Sequence, residues 1–564
     1  MRILLISSAF NSLTQRVYAE LGDRGHRVAV ELALEEGSFG QAVYRHRPDL
    51  VIAPMLRTAI PEEVWSAHTC LIVHPGPVGD RGPSSLDRAI TDGEQRWGVT
   101  VLQASGVMDA GDVWAFAECV LPPAGKSDVY RSEVSDAALT AVLLAVERFA
   151  SGSFVPRPQS SGRSRPYLAQ PERRIDWAAD DTSTVLCKLR AADSQPGVLD
   201  DLLGGEWFLH GGHPEDDLRG LPGELVATRT GAVCRGTVDG AVWIPELRPR
   251  RRPGGPATFK LPAVQALGSR LPDVPEVPVP LRLPDGRRTW SDVRYREEGS
   301  VGLLQFSFPG GAMSTDHCRR LLSAYRFACS RPTGVLVLGG TRDFFSNGIH
   351  LNVIEAAADP AAESWANINA MDDLVEAVLR TTDRITVSAL GGNASAGGVM
   401  LALAADEVWC REGVVLNPHY RLMGLYGSEF WTYSLPRRVG ARQAARLLER
   451  ALPVSAAAAE RMGLIDRVVP AGPSEFAGEI LRLAARLAAL PALASRIADK
   501  KAASAAVQLV AHRERELARM RRNFFDPDEP YHALRSAFVR KVEPTGTPGH
   551  LLASGGPDLT SSRA

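Results

Sequence analysis

The sequence predicts a multidomain α/β protein, and three observations support this fold class. Apolar strand-like runs alternate with helical stretches over about the first 120 residues, which indicates a doubly wound parallel sheet. Short alternating runs with turn residues, such as LPGELVATRT and GAVCRGTV, then predict a small barrel of antiparallel strands. After a Pro-rich stretch the alternation of strands and helices returns, which indicates a second α/β domain.

These changes in the predicted pattern of strands and helices divide the chain of 564 residues into five segments. We expect the sheet domain over residues 1–160, the barrel over 161–270, a Pro-rich linker over 271–288, the second α/β domain over 289–500, and C-terminal helices with a disordered tail over 501–564. The first crossover loop, SSAFNSLTQR, lacks a GxGxxG pattern, which argues against a dinucleotide on the first sheet.

The bulk properties exclude several classes of partner. The formal net charge of −1 provides no electrostatic reason to expect nucleic acid or a membrane surface. Seven cysteines are scattered singly with no CxxC pair, so we expect neither a metal cluster nor disulfides, and we expect a cytoplasmic protein. No run reaches the roughly 18 apolar residues of a membrane span, and no signal peptide is expected.

The stretch HPGPVGDRGPSSLDRAI, residues 74–90, is the first candidate site. It follows the apolar run 70–73 and predicts a strand, a sharp turn and a helix that begins at Ser84 or Ser85. His74 therefore lies at the carboxyl end of a buried strand, where open α/β sheets bind ligands, although such a histidine is more often structural. The downstream run MDAGDVW places Asp109 on a turn within reach of His74.

The strand-end histidine, the Arg-Gly loop, GVT at 98–100 and MDAG, in this order, resemble the folate-dependent formyltransferases over about the first 270 residues. The resemblance implies that His74 and Asp109 are catalytic, that Arg81 and Gly82 bind the folate, and that N10-formyltetrahydrofolate is the formyl donor. The family has an asparagine two residues before the histidine, where this chain has Ile72. That amide stabilises an oxyanion, so either another donor replaces it or the formyl acceptor is not an ordinary amine.

The segments RRIDW and LRAADSQPG resemble the C-terminal domain of methionyl-tRNA formyltransferases. This resemblance implies an OB-like barrel as a scaffold, without tRNA binding. Ser194 and Gln195 are candidate ligand contacts, and the end of a helix before Pro-Gly is the alternative explanation for them.

Two pieces of the second α/β domain predict an oxyanion hole. DFFSNGIHLN, residues 343–352, follows a strand, and ITVSALGGNASAGGVMLALAADEVW, residues 385–409, reads as a strand, a turn and a helix that begins near Gly397. Backbone N–H groups at a helix start are unpaired, and two of them aimed at one carbonyl form an oxyanion hole.

With the segment GLYGSEFWTYSLPRRVG, these pieces resemble the crotonase or enoyl-CoA hydratase superfamily over about residues 290–500. The resemblance implies that the amides of Ile349 and Gly397 polarise a coenzyme A thioester. Hydratases have catalytic glutamates where this chain has Met400 and His419, which argues against water addition. Glu429 is the remaining carboxylate of this region, and burial would raise its pKa towards the range of proton transfer.

Four further side chains near Glu429 are second-rank candidates: His419, Tyr420, Tyr426 and Tyr433. The alternative is that His419 is a satisfied loop histidine and that the tyrosines belong to the core.

The fusion of these two parts resembles the HypX/HoxX type of nickel–iron hydrogenase maturation proteins. The resemblance implies synthesis of the carbon monoxide ligand of the hydrogenase iron, by formyl transfer from N10-formyltetrahydrofolate to coenzyme A and decarbonylation of formyl-CoA. The expected partners are these small molecules and iron-site assembly proteins of the hydrogenase. Two alternatives stay open, which are an amine formyltransferase with a separate acyl-CoA-processing domain, and an inactive CoA-binding scaffold behind the formyltransferase.

Overall fold

A computed structural model describes residues 1–34, 37–159, 162–504 and 508–552, which form two compact units. The first unit contains residues 1–175, 187–198 and the described residues from 543 onwards, and the second contains residues 176–186 and 199–542. Of the predicted disordered tail, Leu551 and Leu552 are helical and residues 553–564 lie outside the described residues.

The first unit is built on a six-stranded sheet. The strands of this region are β1 (Arg2–Ser7), β2 (Arg27–Leu32), β3 (Leu50–Ala53), β4 (Cys70–His74), β5 (Asp80–Arg81), β6 (Arg96–Gln103), β7 (Val113–Val120) and β8 (Arg163–Ser164). The sheet order is β2–β1–β3–β4–β6–β7, and β5 pairs separately with β8.

The predicted parallel sheet is confirmed for β1 to β4 and wrong for β6 and β7. β6 runs antiparallel to both β4 and β7. The link between β6 and β7 is a short loop, and a parallel pair would need a crossover of a dozen or more residues.

Helices alternate with these strands and follow them in the chain up to residue 192. They are α1 (Ser12–Asp23), α2 (Ser38–His46), α3 (Glu62–Trp65), α4 (Ser85–Thr91), α5 (Lys126–Val129), a π-helical turn (Tyr130–Val134), α6 (Ser135–Ser151), α7 (Gln170–Arg173) and α8 (Thr182–Ala192). α1 begins where the Asn11 side chain accepts from the Thr14 N–H, and α6 ends at Gly152, which has the left-handed conformation.

The barrel region has the predicted antiparallel pairing, but in two four-stranded sheets. Its elements are β9 (Val198–Leu202), β10 (Gly205–His210), β11 (His213–Glu215), β12 (Leu225–Arg229), β13 (Ala232–Gly236), β14 (Ala241–Ile244), β15 (Glu246–Pro249), β16 (Leu261–Pro262), α9 (Ala263–Leu267) and a 3₁₀ turn (Gly268–Arg270). The sheet orders are β16–β15–β10–β9 and β11–β14–β13–β12. Trp243 of β14 is fully buried in a cluster of apolar side chains that includes Trp290.

The Pro-rich segment 271–288 lies against this region. Its backbone bonds to β12, since the Thr228 N–H donates to the Pro275 carbonyl and the Val277 N–H donates to the Thr228 carbonyl. Arg287 contacts the buried carboxylate of Glu215 at 2.7 Å. The predicted linker is therefore a fixed strap in the second unit.

The second α/β domain has a six-stranded sheet with the order β17–β18–β19–β20–β22–β25, in which only β17 runs antiparallel to its neighbour. The strands are β17 (Val293–Glu298), β18 (Val301–Phe306), β19 (Val335–Gly339), β20 (Ile385–Leu390), β21 (Ala394–Ser395), β22 (Glu407–Arg411), β23 (Val415–Asn417), β24 (Val454–Ser455) and β25 (Arg467–Val469). β21, β23 and β24 form a small second sheet beside the Gly397 turn.

The helices of this domain and the C-terminal segment are α10 (Thr315–Cys329), α11 (Leu351–Ala356), α12 (Pro360–Leu379), α13 (Gly397–Leu403), α14 (Trp431–Val439), α15 (Ala441–Arg450), α16 (Ala456–Arg461), α17 (Phe476–Ala488), α18 (Leu493–Ser504), α19 (Leu509–Phe525), α20 (Tyr531–Val539) and α21 (Gly549–Leu552), with 3₁₀ turns at Pro309–Gly311 and Tyr420–Met423. Ile368 of α12 packs with Met520 and Phe524 of α19 and Tyr531 of α20. The C-terminal helices α19 and α20 therefore share a core with the domain. Within the ranges given above, no helix is both long and apolar enough to cross a membrane.

Candidate catalytic sites

His74 ends β4 and lies between two carboxylates. Its ring is buried, Nε2 is 3.0 Å from Asp80 Oδ2, and Nδ1 is 3.5 Å from Asp109 Oδ1. The approach depends on Gly76, because a Cβ there would lie 2.5 Å from Nε2 and 2.4 Å from the Asp80 carboxylate. A carboxylate therefore faces each of the two ring nitrogens of His74.

The turn that carries Asp109 is built around this contact. Asp109 has φ +52°, a left-handed conformation that is uncommon for a residue with a side chain. Its Oδ2 accepts from the Gly82 N–H at 3.0 Å, and Gln159 donates to the carbonyls of Asp109 and Gly111. The structure therefore brings together His74, Asp109 and the Arg81–Gly82 loop, as the sequence predicts.

Asp80 is the member of this cluster that sequence reasoning missed. Its Oδ1 lies 2.7 Å from Arg165 Nε, both side chains are about 4% exposed, and its Oδ2 accepts from the Ser85 hydroxyl. A buried carboxylate requires such a partner, because the desolvation of an unpaired charge is expensive. The DR pair of GDRG was a visible signal for Asp80, whereas nothing local marked Arg165.

Ile72, Ser194 and Gln195 lie outside this cluster of contacts. Ile72 is half-buried on β4 opposite Leu102, so its apolar side chain has no amide to offer. Ser194 and Gln195 follow α8, where the Gln195 carbonyl accepts from Lys126 Nζ at 2.7 Å. In the described part of the chain no hydrogen bond joins them to His74, Asp80 or Asp109.

The second candidate site begins with two backbone amides. Gly397 is the first residue of α13 and follows Ala396, whose φ of +46° turns the chain sharply. A Cβ on Gly348 would lie 3.2 Å from the Gly397 nitrogen, so the chain before Ile349 closely approaches the helix start. Among the described residues, neither the Ile349 N–H nor the Gly397 N–H has an acceptor. Two such donors suit a developing oxyanion.

The Glu429 carboxylate lies directly against this helix start. A Cβ on Gly397 would be 2.0 Å from Glu429 Oε1, so only glycine leaves room for the acid. Glu429 is 1% exposed, and its Oε2 accepts from the Tyr420 hydroxyl at 2.7 Å and from the Ser428 N–H at 3.1 Å. Burial raises the pKa of Glu429 to about 7, and its hydrogen bond from Tyr420 acts in the opposite direction. The group is suited to take and return a proton near neutral pH.

The other positions named from the sequence differ in their surroundings. Met400 is fully buried in the apolar core, and His419 Nδ1 lies 2.9 Å from the carbonyl of Asn417 in its own loop. The Tyr426 ring packs 5.3 Å from Trp431, and the Tyr433 ring lies 5.5 Å from His512. Tyr420 is the second-rank candidate that the structure joins to Glu429.

Sequence reasoning also missed Asp372 of α12 and Glu516 of α19. Both side chains are fully buried, and both accept backbone N–H groups of the segment that carries Glu429. Glu516 stands in the charged run ERELARMRR, where the sequence does not distinguish it from acids that face solvent.

Comparisons with known proteins cover both parts of the chain. A family model for the formyl transferase C-terminal domain matches residues 168–258, and one for enoyl-CoA hydratase/isomerase matches residues 297–545. A methionyl-tRNA formyltransferase of Heliobacterium modesticaldum is 27% identical over 214 residues, which is 35% of this chain and 65% of that protein.

Two relatives match nearly the full length. The hydrogenase maturation factor HoxX of Bradyrhizobium diazoefficiens is 46% identical over 557 residues, 97% of this chain and 96% of that protein. The crystal structure of HypX from Aquifex aeolicus in complex with tetrahydrofolic acid has a TM-score of 0.95 and 45% identity, covering 99% of this chain and 100% of that chain. The chain therefore belongs to the HypX/HoxX family of hydrogenase maturation factors, with a formyltransferase part and an enoyl-CoA hydratase-like domain.

Proposed function

We propose that this protein makes the carbon monoxide ligand for nickel–iron hydrogenase maturation in two steps, from N10-formyltetrahydrofolate and coenzyme A. The observation that carries the proposal is the Glu429 carboxylate, buried against Gly397, whose N–H has no acceptor among the described residues, in a domain that lacks both hydratase glutamates. A site with one buried acid and two amide donors suits removal of a proton from a thioester-bound formyl group.

The first step is formyl transfer at His74. The thiol of coenzyme A attacks the formyl carbon, the new C–S bond forms as the C–N10 bond breaks, and the thiol proton passes to N10 through the imidazole. Asp80 and Asp109, on opposite ring nitrogens, hold the ring in place while it carries that proton. The tetrahydrofolic acid bound to HypX of Aquifex aeolicus supports a folate as donor.

The choice of a thiol acceptor agrees with the residue at position 72. A thiol ionises before it attacks, whereas an amine must lose its proton from the tetrahedral adduct. Ile72 stands where amine formyltransferases have their oxyanion-stabilising asparagine. The absence of that asparagine sets this chain apart from the amine formyltransferases, which supports an acceptor other than an ordinary amine.

The second step splits formyl-CoA into carbon monoxide and coenzyme A. The amides of Ile349 and Gly397 hold the formyl oxygen, and Glu429 takes the formyl proton as the C–S bond breaks. The electron pair of that bond leaves with sulfur, which receives the proton back from Glu429. The balance is formyl-CoA to CO and CoA, with no oxidant or reductant. A pKa of about 7 for Glu429 allows both transfers near neutral pH.

The product fits the family to which the chain belongs. A hydrogenase maturation factor acts with the proteins that assemble the active site, so we propose iron-site assembly proteins as the recipients of CO. The seven cysteines are free thiols, which supports a reducing cytoplasm as the compartment.

The test is anaerobic incubation of the purified protein with N10-formyltetrahydrofolate, with and without coenzyme A, and detection of CO by its haem complex. We expect CO only when coenzyme A is present, and we expect CO from synthetic formyl-CoA without folate. Loss of the formyl group from folate without CO would refute the second step, and formylation of an added amine would favour the amine formyltransferase instead.

A further inference from the structure

The segment Ser428–Thr432, which carries Glu429, is held by two other buried acids on different helices. Asp372 of α12 accepts from the Glu429 N–H at 2.8 Å, and its two oxygens lie 2.9 Å from the Ser428 hydroxyl. Glu516 of α19 accepts from the Phe430 N–H at 2.8 Å and from the Thr432 N–H at 2.7 Å. The two carboxylates therefore accept the N–H groups of Glu429, Phe430 and Thr432.

The backbone of this segment has a strained conformation that needs stabilising contacts. Glu429 and Phe430 both have φ +59°, and two consecutive residues with side chains in the left-handed region are disfavoured. Such a backbone persists only where surrounding contacts over-determine it, and it is concentrated at functional sites. Asp372 and Glu516 accept hydrogen bonds from the N–H groups of these two strained residues themselves.

Resting on the proposed decarbonylation, we propose that Asp372 and Glu516 are positioning residues that hold Glu429 and Phe430 in their left-handed conformation and so keep the Glu429 carboxylate against Gly397 at the start of α13. α19, in the C-terminal segment, then has a specific part in the reaction. Neither acid touches the Gly397 amide itself in the contacts described, so both act through Glu429.

The same arrangement determines how Glu429 titrates. The ionisable groups that face it are the Tyr420 hydroxyl, the acids Asp372 and Glu516, and the Cys318 thiol of α10. Burial raises the pKa of Glu516 to about 7 and that of Asp372 well above its usual range. The negative charge of Glu516 in turn raises the pKa of Glu429.

Positive charges lie close to Glu516 on the same helix. Arg515 is exposed, and its positive charge acts to lower the pKa of Glu516. Arg513 is paired with Asp373 and Glu376. Glu516 also shares the Thr432 hydroxyl with His512, which is half-buried and lies 2.8 Å from that oxygen. Removing the charge of Glu516 while keeping its size should therefore lower the pKa of Glu429.

The experiment compares Glu516→Gln and Asp372→Asn with Glu514→Gln, an exposed position on the same helix that serves as the control. Two readouts are measured across pH, namely CO formation from synthetic formyl-CoA and the infrared carboxyl band that Glu429→Gln removes. We expect Glu516→Gln to move the acidic limb of the activity and the titration of the Glu429 band to lower pH, by on the order of one unit. Glu514→Gln should change neither readout.

For Asp372→Asn we expect a fall in kcat of at least tenfold with little change in KM, because the substrate contacts stay while the acid is displaced. If Asp372→Asn does not fold, Ser428→Ala removes one of the two Asp372 bonds and should show the same split. An unchanged infrared titration and an unchanged kcat in folded variants would overturn the proposal.

The infrared titration keeps this proposal separate from the decarbonylation. A wild-type protein that forms no CO from formyl-CoA would refute the second catalytic step, yet a shifted Glu429 band in Glu516→Gln would still support the positioning role. Normal CO formation by the wild-type protein, together with an unshifted Glu429 band in Glu516→Gln, would support the decarbonylation and refute the positioning role.

Discussion

Replacing Gly397 with alanine tests the geometry of the second site most directly. The added Cβ would lie 2.0 Å from Glu429 Oε1 and 2.5 Å from its carboxyl carbon, whereas ordinary van der Waals contact begins at 3.4 Å. The carboxylate must therefore retreat by about 1.4 Å, the difference between the first and last of these distances. A misplacement of about 1 Å at a reacting group costs about 10²-fold in rate, which corresponds to about 2.7 kcal/mol of activation free energy. We expect Gly397→Ala to lower CO formation from formyl-CoA by at least this factor.

The assay is single-turnover CO release from synthetic formyl-CoA, followed by the haem–CO spectrum. Gly478→Ala is the matched control, because this glycine lies in helix α17 of the same domain and a Cβ there meets nothing within 4 Å. Thermal unfolding of both variants shows whether the domain has kept its fold. A folded Gly397→Ala protein with wild-type CO release would refute the placement of Glu429 at the reacting carbon.

Three further predictions follow from the two sites. Glu429→Gln should reduce CO formation by about 10²–10⁴-fold, the usual contribution of a general acid–base group, and leave CoA-dependent deformylation of folate unchanged. Asp80→Asn should slow that deformylation by about 10- to 100-fold, since a hydrogen bond to a charged group is worth about 1.5–3 kcal/mol. Glu516→Gln should raise the melting temperature relative to wild type at pH 8 but not at pH 4. The folded pKa of about 7 lies above the usual 4.5, so stability is lost as pH rises through this window and the ionised acid becomes a buried charge.

Each of these predictions has its own control. For Glu429→Gln, loss of folate deformylation as well would mean that the two steps are not separate. Asp112→Asn, on the same turn as Asp109 but exposed and beside no ring nitrogen of His74 in the described contacts, controls for charge removal near the first site. For Glu516→Gln, a melting-temperature difference that is the same at pH 4 and pH 8 would contradict the raised pKa. Glu514→Gln should show no pH-dependent difference.

The local parts of both sites could be read from the sequence. A strand that ends in His74, a Gly-rich turn that carries Asp109 and a helix that begins at Gly397 are each formed by neighbouring residues, whose backbone preferences are visible in the chain itself. The neighbours of Glu429, Ser428 and Phe430, did not decide whether its carboxylate is buried or faces solvent. The parallel order of β1 to β4 was also predictable, because the connections between those strands are long enough for crossovers.

The partners of these groups were decided by the tertiary structure. Arg165 reaches Asp80 from beyond the first sheet, and Glu516 reaches the Glu429 segment from a helix near the end of the chain. On α19, Glu514 is exposed and Glu516 is fully buried, although both belong to the same charged run. Which face of a polar helix is buried depends on the surface it packs against, and that surface is formed by residues far away in the chain. The sequence by itself determined which groups are chemically able to react, and only the packing of distant helices decided which acids hold them in position.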